Sequence, residues 1–185
     1  MKIIGFYTPN TPYEEEAYMA KLLLDNFQLP YHFYEVDNKK DWALNCAQKS
    51  KVIRQALEDF EEDILYLDVD SRVIRKPPFE EINRGLPAYC IWYNPLNGAQ
   101  LASGTIYFPN NNISRQVVDA WIEEQERNPT EWDQQTLQNV YEKYPHTLLS
   151  HDWINIQGYG DVKFIETETP IVVHTQASRR HKKSL

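Results

Sequence analysis

Residues 64–70 read Ile64-Leu65-Tyr66-Leu67-Asp68-Val69-Asp70. Four consecutive apolar residues bounded by charge suit a short strand covered on both faces. In an extended chain, residues i and i+2 point the same way, so Asp68 and Asp70 stand together where that strand ends. Two like charges held close need a cation. Upstream, within residues 45–60, Val52, Ile53, Ala56, Leu57 and Phe60 repeat at helical spacing and turn one stripe toward a core. At about 100° per residue, Lys49 falls on that stripe and Lys51 on the opposite side. Two readings of Lys49 stay open: a stem that snorkels outward from the first helical turn, or an ammonium that meets an anion, for which its closeness in sequence to Asp68 suggests a diphosphate.

Further outward, residues 2–7 (KIIGFY) form an apolar strand closed by Thr8-Pro9-Asn10. Thr11-Pro12-Tyr13-Glu14 has the form of a capping box with Pro at the first helical position. Leu22, Leu23 and Phe27 carry that helix to its stop at Pro30. Residues 31–36 then read as a second strand that delivers Asp37 to its end. More strands are predicted at 88–93, around 105–108 and at 171–173, the last ending at His174. Helices are predicted over 114–126 and from about 130 toward 144. This alternation predicts an α/β sandwich with a mostly parallel sheet. In such sheets ligands bind outside the carboxyl ends of the strands. Tyr7-Thr8, Asp37, Asp68–Asp70 and His174 all fall there. Carboxylates with an imidazole suit Mn²⁺ or Mg²⁺; a solvated acidic turn is the competing reading of the same residues.

Composition narrows the choices. At 185 residues and 42% hydrophobic, the chain is sized for one domain, and no linker or repeat divides it. A compact domain over 1–178 followed by a basic tail over 179–185 is expected. That tail holds four of the 19 basic side chains, so the rest of the chain sets fifteen of them against 27 acidic ones, a charge of −12. Such a body repels a nucleic-acid backbone. Cys46 and Cys90 lack any metal or disulfide spacing, which suits a reducing cytoplasm. No apolar run reaches the roughly 18 residues of a membrane span, and the N-terminus lacks a signal peptide's apolar stretch. The 12 Tyr and 5 Trp suit a carbohydrate or base-stacking cleft, and equally an aromatic core.

Residues 49–78 (KSKVIRQALEDFEEDILYLDVDSRVIRKPP) resemble the donor-binding segment of nucleotide-sugar glycosyltransferases of the GT-A fold, among them glycogenin and lipopolysaccharide galactosyltransferases. Ala102-Ser103-Gly104-Thr105-Ile106-Tyr107-Phe108 is similar to their N/S-x-G-hydrophobic strand. Trp132-Asp133-Gln134-Gln135 resembles their D-Q-D segment, and residues 174–182 resemble the late histidine and basic segment. The resemblance implies a single-domain GT-A-like, Rossmann-like fold and a hexosyltransferase-like enzyme. A sugar would pass from a nucleotide-diphosphate donor, UDP favoured, to a carbohydrate or other hydroxyl acceptor, with retention. It implies a Mn²⁺ or Mg²⁺ ion on Asp68, Asp70 and His174. The donor would lie on Tyr7, Thr8, Asp37, Lys49, the Asp68-Val69-Asp70 motif, Ser103, Gly104, Arg179, Arg180 and Lys182, with Asp133 and Gln134 at the donor sugar. Departures exist: Gln135 replaces a third carboxylate, and the late segment lacks a glycine and Lys-Pro-Trp. Asp133, three residues after Thr130, also fits a capping box, and the terminal basic run also fits a solvated tail. Two other functions share parts of the pattern. A haloacid-dehalogenase-type phosphatase uses a D-x-D motif, but near its N-terminus and with a late paired acidic motif. A nonenzymatic carbohydrate-binding module leaves the aligned strand ends unexplained.

Overall fold

In the computed structural model, which describes residues 1–94, 98–156 and 166–181, β1 (Lys2–Tyr7), α1 (Pro12–Asn26) and β2 (Tyr31–Glu35) make a parallel β-α-β unit. Thr11 caps α1 by accepting the Tyr13 N–H, and Pro12 occupies the first turn, where its missing N–H costs nothing. Glu14 accepts instead from the Asn10 N–H at 2.8 Å, one residue outside the expected box. The helix buries Ala17, Ala20 and Leu24, whereas Leu22 is exposed. Residues two apart on a helix point to nearly opposite sides, so Leu22 and Leu24 cannot share a face.

The helix expected over 45–60 is two: α2 (Trp42–Cys46), capped by Asp41 through the Leu44 N–H, and α3 (Lys49–Asp59). Side chains at the junction bond backward, Gln48 to the Asp37 carbonyl and Asn45 to the Lys39 N–H, which ties the break to the loop after β2. β3 (Ile64–Leu67) is wholly buried, as its apolar run requires. Its side chains alternate: Leu65 and Leu67 join Ile3, Ala17 and Leu24 in one core, and Ile64 and Tyr66 join Ile53, Val117 and Trp121 in the other.

β4 (Ser71–Val73) follows directly. β5 (Ala88–Asn94) and β6 (Gly98–Phe108) form an antiparallel pair with a register shift between Tyr89 and Cys90. Then come α4 (Asn112–Arg127), α5 (Asp133–Gln138), β7 (Thr147–Leu148), β8 (Asn155–Ile156), β9 (Val172–His174) and α6 (Ala177–His181). The central sheet runs β2-β1-β3-β6-β5-β7, with three parallel and two antiparallel pairings. α5 is shorter than the helix expected from 130 to 144, because Tyr141–Lys143 tightens into a 3-10 turn.

The last apolar run departs from expectation. β9 does not join the central sheet but pairs antiparallel with β4 and parallel with β8 in a small second sheet. Its register sets His174 opposite Ser71, one residue after Asp70.

Candidate active site

The D-x-D turn, β9 and β6 converge on a single cavity of about 220 Å³ lined by Thr8, Lys49, Asp68, Asp70, Ser103, Asp133 and His174 among others. Asp68, Asp70 and His174 each offer a ligand atom within 4.8 Å of the other two. The Asp68 N–H donates to the Gly104 carbonyl at 2.9 Å, locking the turn onto β6. Asp70 uses Oδ2 to accept the Ala177 N–H at 2.9 Å, which leaves Oδ1 toward the imidazole, 3.6 Å from Nδ1. Thr105 Oγ1 lies 3.0 Å from His174 Nε2 and Ser71 Oγ lies 3.3 Å from Nδ1. Nδ1 faces Asp70; were a cation bound there, Thr105 Oγ1 accepting from Nε2–H would free the Nδ1 lone pair for it, the arrangement that orients a ligating histidine.

Lys49 lies only 3% exposed on the inner stripe of α3. Its ammonium is 2.9 Å from Asp68 Oδ1 and 2.6 Å from Asp133 Oδ2, and donates to both oxygens of Ser103 at 3.2 Å. It also stands 4.9 Å above the Tyr66 ring. Burial opposes its charge, but the two carboxylates outweigh that and hold the ammonium well above its usual range. The side chain does not snorkel outward, and its partners are the protein's own carboxylates rather than the expected diphosphate, while Lys51 pairs with Glu126 on the surface.

The carboxylates differ. Burial lifts Asp68 above the usual range, with Lys49 opposing and Asp70 and Asp133 adding to the rise. Burial also acts on Asp70, but the bond and charge of His174 and the Ala177 N–H hold it below that range. Lys49 pairs with Asp68 and Asp133, while Asp70 lies against His174. Oxygen and imidazole donors at this spacing fit a divalent ion.

Asp133 does not cap its helix. Trp132 occupies the cap position without a side-chain bond, and the buried Asp133 carboxylate accepts from Lys49 and from Ser103 Oγ at 2.8 Å. Gln134 Oε1 accepts the Ser103 N–H at 3.4 Å. Tyr7, Thr8, Val69, Ser103 and Gly104 line the same cavity. Tyr7 donates to Glu35 at 2.7 Å, and Thr8 bonds Thr11.

Other expected residues stay outside. The Asp37 side chain is 92% exposed beside Lys39, because β2 ends two residues earlier and the loop turns outward. Arg179 bonds Gln176, and Arg180 is held at 2.6 Å by Glu16. Neither lines the cavity; from that segment Gln176 and Ser178 do. Lys182 lies outside the described residues. Sequence reasoning missed Tyr13, Trp42, Cys46, Tyr66 and Trp132 on the cavity wall. Two carried a local signal: Tyr66, two residues before Asp68 on one strand face, and Trp132, which opens the segment that resembles D-Q-D.

A mixed sheet, a second small sheet carrying a histidine back to a D-x-D turn, and a cavity at that junction define a GT-A-like fold. No protein-family profile and no curated protein matches the sequence. Solved structures match the fold. A glycosyltransferase involved in glycosylation of the major capsid of PBCV-1 is similar at a TM-score of 0.71 and 17% identity, over 97% of this chain and 96% of that one. The glycosyltransferase GlyE of Streptococcus pneumoniae TIGR4 gives 0.64 at 15% identity, over 95% of this chain and 54% of that one. Galactosyltransferase LgtC, in complex with donor and acceptor sugar analogs, gives 0.59 at 13% identity, over 95% and 87%. Among the described residues, no helix is long and apolar enough to cross a membrane.

Proposed function

We propose that the chain is a metal-dependent glycosyltransferase that moves a hexosyl group from a nucleotide-diphosphate sugar, UDP favoured, to an acceptor hydroxyl with retention. The observation that carries this reading is the convergence of Asp68, Asp70 and His174 within 4.8 Å at the strand ends of a fold shared with sugar transferases. Mn²⁺ or Mg²⁺ bound there supplies Lewis acidity toward the departing diphosphate. Asp68, Asp70 and His174 would hold the ion, and the Thr105 hydroxyl at Nε2 fixes the imidazole. Lys49 keeps the half-buried Asp68 and the buried Asp133 in place. Asp133 and Gln134, both anchored on Ser103, orient the donor sugar, a preorganised arrangement whose dipoles need not move during reaction. Tyr7, Thr8 and Val69 border the nucleoside and diphosphate. Arg179, Arg180 and Lys182 stay in the proposal as phosphate contacts made once the C-terminal segment shifts onto a bound donor. A cytoplasmic location belongs to this reading through the sequence alone, in which Cys46 and Cys90 lack any disulfide or metal spacing.

The reading is tested by thermal shift. Mn²⁺ with UDP is expected to raise the melting temperature more than either alone, and Asp70→Ala to remove the joint effect. A wild type that responds to no nucleoside diphosphate in the presence of Mn²⁺ or Mg²⁺ would overturn it.

A further inference from the structure

A buried tyrosine has an apolar body and a hydroxyl that has to find a partner. Tyr66 is 1% exposed, and its ring is gripped in the core with Ile53, Val117 and Trp121, so the hydroxyl goes only where the strand directs it. Alternation along β3 sets Tyr66 and Asp68 on one face, and the hydroxyl donates to Asp68 Oδ1 at 2.7 Å. Lys49 Nζ lies 2.9 Å from the same oxygen. Both donors take Oδ1, which leaves Asp68 Oδ2 beside His174 Nδ1, against Gly104. Asp70 is divided the other way: the Ala177 N–H takes Oδ2, and Oδ1 faces the imidazole.

A carboxylate with one oxygen committed to the protein meets a cation through the other oxygen alone. Asp68 and Asp70, each limited in this way, and one imidazole suit an octahedral ion such as Mn²⁺ or Mg²⁺, with room left for water and phosphate oxygens. Ca²⁺ takes about six to eight oxygens and readily uses both oxygens of one carboxylate. The Lys49 ammonium is shared with Asp133 and Ser103, whereas the Tyr66 hydroxyl is committed to Asp68. Tyrosine is thus the donor that decides which oxygen Asp68 presents.

We propose, resting on the metal-dependent reading above, that Tyr66 is a positioning residue of the candidate metal centre: by occupying Asp68 Oδ1 it restricts that aspartate to one ligand oxygen and biases the site toward Mn²⁺ and Mg²⁺ over Ca²⁺. Tyr66→Phe keeps the ring, its place in the core and the face it offers Lys49 at 4.9 Å, and removes only the hydroxyl.

The test is Mn²⁺ binding to the full chain, with and without UDP, followed by loss of the free ion's electron paramagnetic resonance signal, with Ca²⁺ affinity read from its competition with Mn²⁺. The wild type is expected to bind Mn²⁺ and to prefer it to Ca²⁺. Tyr66→Phe is expected to weaken Mn²⁺ about tenfold, as loss of a ligand's outer partner does, and Ca²⁺ by less, with unchanged circular dichroism. Tyr89→Phe controls for removal of a buried hydroxyl, since Tyr89 is equally buried, has no hydrogen-bond partner for its hydroxyl among the described residues and does not line the cavity; it is expected to leave both affinities unchanged. Tyr66-dependent Mn²⁺ binding without any response to a nucleoside diphosphate keeps the positioning role and removes the transferase reading. A joint UDP–Mn²⁺ thermal shift in a wild type whose Mn²⁺ affinity Tyr66→Phe does not alter does the reverse. Three further outcomes overturn the positioning role: no Mn²⁺ bound by the wild type, a wild type that binds Ca²⁺ as tightly as Mn²⁺, or Mn²⁺ and Ca²⁺ weakened by the same factor in Tyr66→Phe, which would make the tyrosine a prop for the turn alone.

Discussion

A methyl group at position 104 would stand 2.6 Å from His174 Cε1, 2.9 Å from Nδ1 and 3.3 Å from Asp68 Oδ2. The backbone there is not left-handed; the need is close approach of a buried ring that Thr105 Oγ1 anchors at Nε2. Gly104→Ala is therefore expected to destabilise the fold by about 1–3 kcal/mol and to displace the imidazole from the aspartates. Urea unfolding reads the first effect and Mn²⁺ titration the second; wild-type behaviour in both contradicts this packing. The residue was legible only as part of a short motif, since its partner lies 70 positions later. The stripe position of Lys49 was legible, but it left snorkelling and anion contact open, because the acceptors Ser103 and Asp133 come from other elements.

Between elements, Glu16 does what no local pattern announced. From the middle of α1 its carboxylate accepts from Arg72 on β4, from Arg180 on α6 at 2.6 Å, and lies 3.5 Å from His181 Nε2. Arg72 also donates to the Val69 carbonyl at 3.1 Å, inside the D-x-D turn. One acid thus fixes the turn bearing the proposed ligands and the helix whose first N–H caps Asp70. In the sequence Glu16 is one of three consecutive glutamates on an amphipathic helix, and nothing separates it from its solvated neighbours. Glu16→Ala leaves Arg72 without its main anion, at a cost of up to about 3–5 kcal/mol for a well-buried pair. It also frees α6. Limited trypsinolysis is expected to cut after Arg179 and Arg180 several times faster in that variant, with Glu16→Gln intermediate. Equal cutting rates in wild type and variant would show that α6 is held by other contacts.

For the molecule as a whole, what could be read was what repeats locally. The β-α-β opening, the α3 stripe and the fully covered β3 follow from periods of 3.6 and 2 or from an unbroken apolar run. The small second sheet could not be read, because β4 and β9 pair across about a hundred residues and each is three residues long. Closing the chain in this way also decides its response to alkali. β5 sits inside the core, and burial pushes the Cys90 thiol up to about 12 from an ordinary 9.0. Tyr7 rises to about 12 from 10.0, first through its bond to Glu35 and then through burial. Above pH 9 the unfolded chain therefore loses these protons before the folded one does, and the native state is the one that binds more. The slope of unfolding free energy with pH is then negative. These groups contribute in full below about pH 9, and their contribution falls away toward pH 12. Urea midpoints measured from about pH 7 to about pH 11 are expected to hold level and then decline. Cys90→Ala should delay the onset into the tyrosine range, and a midpoint flat to about pH 11 in the wild type would refute this linkage.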